Sequence, residues 1–305
     1  MVNSVPRSGR RSPLNQFTVR LISARPSPIL SSVTLPIPIA PPAWPARFLL
    51  VGAGLAVGAF SAGYSFNQEW ATQTWPWPDG DFSHIFIGSI LAAIAAIGIW
   101  IGAVGEWGAL KTGGLSLFVM FGGCSIYLFI RAAEGHDVGY AIVFAAVAGA
   151  GAALGLAFRK VPIADRRLMP LPVRASFMGV LALLVTGAAL LLARVQVFPW
   201  AVDSRTAVMF GCISLGSASY FASSLLSPTW HSARGGLVAL LAYDLVLFPR
   251  YVVWRGATNA SGYPSPTDDA HLPVLILFVS VTGLLSIYYL FIDRATRGWS
   301  VERQP

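Results

Sequence analysis

The chain has 305 residues, of which 55% are hydrophobic and 11% charged, and its mean hydropathy is +0.65. A soluble domain carries about a quarter charged residues, so this composition excludes an ordinary water-soluble globular protein and makes lipid the solvent. The formal charge of +8 does not mark a nucleic-acid binder, because the Lys and Arg residues lie in short runs between apolar segments and not on one basic face.

Residues 1–46 are rich in Arg, Ser and Pro and hold no acidic residue, which reads as a disordered basic tail. Beyond it come apolar stretches of roughly the 20 residues needed to cross about 30 Å of hydrocarbon. The spans predicted are 47–66, 85–104, 114–131, 138–158, 176–195, 206–226, 235–254 and 272–292. With the N-terminus in the cytoplasm, sixteen of the 21 Lys and Arg residues fall inside and five outside, Arg131, Arg194, Arg205, Arg250 and Arg255. That bias predicts both termini on the cytoplasmic side of a multi-pass membrane protein.

Self-similarity organises these spans. Trp75-Pro76-Trp77 recurs as Phe198-Pro199-Trp200, with Pro76 and Pro199 123 positions apart. The same offset carries Gly88 onto Gly211, Trp107 onto Trp230, Lys111 onto Arg234 and Gly113 onto Gly236 without a gap. Before it, Pro45-Ala46-Arg47 matches Pro172-Val173-Arg174 at an offset of 127. The expected fold is therefore an all-α, polytopic membrane bundle of about eight transmembrane helices in two tandem, parallel four-helix repeats. The first repeat covers 47–160 and the second 176–293, joined by a cytoplasmic basic linker at 161–175 and followed by a cytoplasmic tail at 294–305.

The Pro-Trp loops supply the first candidate site. Trp75, Trp77, Asp79, Trp200, Asp203 and Arg205 can form an aromatic platform for a ligand, with Asp81 and His84 close by. The plainer role is interfacial anchoring by Trp and helix initiation by Pro and Asp. Asp244 is the sharpest single residue, since a carboxylate within a membrane helix costs roughly 2.5–3.5 kcal/mol on insertion scales. It reads either as a proton or cation pathway residue or as a structural group bonded to Arg194, Arg250, Tyr243 or a neighbouring Ser. Arg131, Arg194, Arg205 and Arg250 at outer helix ends could bind an anionic headgroup, or else snorkel and pair with nearby acids.

Gly54/Gly58, Gly98/Gly102 and Gly151/Gly155 have the spacing that lets helices approach closely, within the chain or in a homo-oligomer or membrane partner. Cys124 and Cys212 lack a CxxC context and read as small buried hydrophobes. His84, His136, His231 and His271 show no ligand spacing, and no cofactor or metal motif stands out. Asp268-Asp269 reads as a solvated turn, and Asn259-Ala260-Ser261 matches a glycosylation sequon.

The run Trp75-Pro76-Trp77-Pro78, and Phe198-Pro199-Trp200 continuing through Arg205, Gly211 and Trp230, resembles a pattern of bacterial multi-pass membrane proteins with a Trp-Pro-Trp loop and no assigned activity. In that pattern an Arg follows the loop; the first copy departs from it with Phe82 at the position of Arg205. The resemblance implies topology and a bacterial origin. The expected role is a non-enzymatic membrane binding or assembly component. The alternatives are a small-solute or proton-coupled transporter using Asp244, and a lipid-modifying enzyme using Asp79, Asp81 or His84.

Overall fold

The computed structural model describes residues 44–77, 79–135, 138–163, 165–257 and 271–296. Most of the N-terminal tail, Pro78, His136, the sequon, Asp268-Asp269 and the end of the C-terminal tail lie outside them. The described residues contain eight helices long and apolar enough to cross a membrane, and no strand. They are α1 (Trp44–Ser65), α3 (Asp81–Val104), α4 (Ala109–Ala133), α5 (Val138–Ala157), α6 (Leu171–Leu192), α7 (Ser204–Leu226), α8 (Trp230–Ala257) and α9 (His271–Ile287). A short α2 (Glu69–Thr72) lies between α1 and α3, and α9 ends in a π-helical turn at Tyr288–Ile292.

All eight predicted spans are present, and several helices begin three to five residues before the apolar stretch that announced them. The extra turns carry Pro, Arg, Trp or Asp, residues that hydropathy discounts but that suit helix starts. Asp203, just before α7, caps that helix: its carboxylate accepts a bond from Arg205 N at 2.9 Å. At the other end of α3, Gly105 adopts φ +82° and closes the helix with a bond from its N–H to Ile101 O. A side chain at Gly105 would collide with the Arg47 guanidinium, which sits at this helix C-terminus where the macrodipole favours a cation.

α1 packs on α3, α4 on α5, α6 on α7 and α8 on α9, while α4 also packs on α7 and α3 on α8. Glycine sets the closest approaches. A Cβ on Gly98 would lie 3.6 Å from Gly54 Cα, and one on Gly114 would lie 2.5 Å from Gly155 N. The paired glycines of α1, α3 and α5 thus serve packing within the chain. Cys124 and Cys212, read from sequence as small buried hydrophobes, lie at the α4–α7 contact, where Cys124 Sγ donates to Met209 O at 3.8 Å and Cys212 packs against Gly123. Large apolar side chains such as Leu49, Leu55, Ile126, Leu183 and Leu277 stand exposed around the bundle, as a hydrocarbon solvent requires.

Candidate functional site

The two Pro-Trp loops come together at one end of the bundle. Trp75, Trp77 and Trp200 are all buried, so they close this end and do not project from it as anchors. Trp75 Nε1 donates to Thr206 Oγ1 at 3.3 Å, and Trp200 Nε1 donates to Ser83 Oγ at 3.2 Å, so each loop is fastened to the helix that follows the other. Gln196 Nε2 donates to the carbonyls of Phe198 and Trp200 and fixes the second loop from within. The Arg205 guanidinium lies 5.5 Å from the Trp77 ring, while Phe82 packs against Trp200 at 5.8 Å.

The polar candidates of this end are engaged locally. Asp79 Oδ1 accepts from Gly80 N at 2.8 Å and Ser83 Oγ at 2.9 Å, which makes it a helix-start residue. Asp81 is exposed and His84 packs on the Tyr64 ring. Asp203 pairs with Arg205 Nε at 3.0 Å. Burial would raise the Asp203 carboxyl, but the Arg205 bonds and charge hold it below the usual carboxylate range. Arg131 pairs with Glu134, and Arg250 donates to Ser65 O at 3.1 Å with Phe66 beneath it.

The opposite end holds a cluster that sequence reasoning missed. Gly105 turns the chain out of α3 and delivers Glu106 inward, where it is 2% exposed. Its Oε1 accepts from Arg234 Nη1 at 2.6 Å, and its Oε2 lies against His231 Nδ1. Arg234 also reaches Asp165 Oδ2 at 3.3 Å. Burial works to raise the Asp165 carboxyl, yet the bonds from Arg167 and the charges of Arg167 and Arg234 hold it low. The linker is pinned over the cluster by Met169 N→Pro228 O at 3.0 Å and Trp230 N→Arg167 O at 2.7 Å. The only sequence signal was an acid beside Trp107 and a basic residue four positions after Trp230. Nothing in that spacing says that the two meet.

Asp244 is buried at 3% exposed, and its Oδ2 accepts from Thr282 Oγ1 of α9 at 2.9 Å. None of Arg194, Arg250, Tyr243 or a Ser supplies that bond. Oδ1 has no protein partner among the described residues. The carboxylate packs against Gly283, where a Cβ would come within 3.4 Å of Oδ2.

Between these features lies a cavity of about 260 Å³, walled by α3, α4, α6, α7, α8 and α9. Its wall is apolar and aromatic, with Phe86, Phe198, Phe221 and Phe278 prominent. Six hydroxyl side chains interrupt it: Ser116, Ser214, Ser217, Tyr220, Tyr243 and Tyr251. Ser116 bonds to Gly216 O across the α4–α7 contact. No Asp, Glu, Lys, Arg or His is among the described lining residues, and Asp244 is therefore not one of them. Among the described residues no group of three or more His, Cys, Asp or Glu side chains could hold a metal ion. No family model matches the chain, and no curated protein or solved structure is significantly similar to it.

Proposed function

We propose that the protein is a non-enzymatic, integral membrane binding protein that holds an uncharged apolar molecule within its bundle. The observation that carries this reading is the central cavity, about 260 Å³ in volume, with apolar walls and no charged lining among the described residues. Small-molecule sites are concave and mostly apolar, with a few polar groups that fix orientation. A path for ions or protons would need titratable groups along it, and Asp244 lies outside the lining.

The scaffold in this reading is a pair of tandem four-helix repeats, with both termini on the cytoplasmic side of a bacterial inner membrane. Exchanging the first four spanning helices for the last four turns each of the six main helix pairings into another of them: α1–α3 into α6–α7, α4–α5 into α8–α9, and α4–α7 into α3–α8. Finer contacts follow the same exchange. Gly88 faces Ser61 and Ser65 of α1, and Gly211 faces Ala188 and Leu192 of α6, the positions that the offsets of 123 and 127 make equivalent.

Gly187 tests the cavity directly, because it lines the space and a Cβ there meets nothing within 4 Å. The protein is extracted gently from its native membrane and its bound small molecules are identified by mass spectrometry. Wild type should retain an apolar compound at about one per chain, and Gly187→Phe, which fills the cavity, should lose it while remaining folded. If both proteins carry only the same bulk lipids, the binding role is wrong.

A further inference from the structure

Five of the residues that line the cavity carry a hydroxyl that makes no hydrogen bond to protein among the described residues: Ser214, Ser217, Tyr220, Tyr243 and Tyr251. Tyr220, Tyr251 and Ser214 are 6%, 1% and 9% exposed, so bulk water does not serve them. In a membrane interior an unpaired hydroxyl is costly, and a purely apolar side chain would fill the same position without that cost. Space is also kept for Tyr220 by its neighbour, since a Cβ on Gly235 would collide with the Tyr220 hydroxyl and crowd Trp100.

We infer that the cavity takes an uncharged lipid with a planar, carbonyl-bearing head, the chemistry of a membrane quinone. This rests on the binding role proposed above and specifies its ligand class. A charged headgroup is disfavoured because no described lining residue bears an opposite charge to compensate it. A plain hydrocarbon would leave all five hydroxyls unpaired. A carbonyl oxygen accepts without bringing a hydrogen of its own, and a phenol is a good donor to it. The ring suits the walls, where Phe86, Phe198, Phe221 and Phe278 offer faces and edges for stacking. Tyr243 and Tyr251 lie eight residues apart on α8, about 12 Å along its axis, so donors are available at more than one depth. A head with oxygens on opposite sides of its ring can use two of them.

The test uses the full chain in mild detergent and two probes with the same tail, decylubiquinone and decylbenzene. Binding is read as probe retained through gel filtration and as quenching of tryptophan fluorescence, since Trp200 stacks at 4.6 Å on Phe198 of the cavity wall. Decylubiquinone should bind at least tenfold more tightly than decylbenzene. Tyr220→Phe and Tyr243→Phe, which remove one oxygen each, should weaken it roughly five- to tenfold and leave decylbenzene unchanged. Ser217→Ala does the same with a smaller side chain should a Tyr variant fold poorly. Equal affinity for both probes, unmoved by these variants, would overturn the carbonyl assignment while the apolar binding role stands. If neither probe binds, the assignment and the binding role fall together.

Discussion

The two ends of the bundle are closed by opposite chemistry. At the Pro-Trp end, closure is spread over many rings: Trp75, Trp77, Trp200, Trp254, Phe82 and Phe198 touch one another in overlapping pairs 4.1–6.4 Å apart. At the other end it is concentrated in one carboxylate, Glu106, held by Arg234 and His231. Dispersed apolar contacts are individually small and tolerate loss. A buried ion pair is different, because deleting one member leaves the other charged and unsolvated. The ends should therefore respond to substitution in unlike ways, even though each joins the same two halves of the chain.

The largest effect is expected at the ionic end. Arg234→Ala should cost about 3–5 kcal/mol, measured by SDS titration of the folded protein in mixed micelles, because Glu106 is then buried without its guanidinium. The double variant Glu106→Gln, Arg234→Met removes both charges and should recover most of that loss. Were the double variant as unstable as the single one, the ends would differ by packing and not by charge.

At the aromatic end, Trp200→Phe keeps a ring in place and removes the bond from Nε1 to Ser83. Its cost should be about 0.5–1.5 kcal/mol in the same titration, the usual net worth of one hydrogen bond. A loss as large as that of Arg234→Ala would show that this end also depends on a single contact.

These unlike closures also explain what could be read in advance. The eight helices were legible because lipid demands about 20 apolar residues per crossing, a signal that needs no knowledge of neighbours. Asp244 was legible as a group requiring a partner, but the partner, Thr282, is 38 residues away on another helix. Glu106 and Arg234 are 128 residues apart, one in the link after α3 and the other near the start of α8, and only the packing of α3 on α8 brings them together. The Trp residues misled for a related reason. At the ends of spanning helices they suit the headgroup level, and only the meeting of the two loops reveals that they are buried. The cavity was hidden because helices apolar on every side do not declare which face meets which neighbour.

The smallest expected effect isolates charge at the aromatic end. Asp203 caps α7 and pairs with Arg205, both partly exposed to solvent. Asparagine also caps helices, so Asp203→Asn removes the ion pair and keeps the cap. The loss at neutral pH should be under about 1 kcal/mol, as for exposed pairs generally. Its pH dependence follows from the carboxyl being held below the usual range in the folded protein. The wild-type advantage is then fully present above the ordinary aspartate value of about 3.9 and fades as pH falls through the lower folded value. The two proteins should converge in stability in strong acid and separate by pH 5. An advantage for wild type that persisted unchanged through that range would mean that Asp203 acts through its shape as a cap and not through its charge.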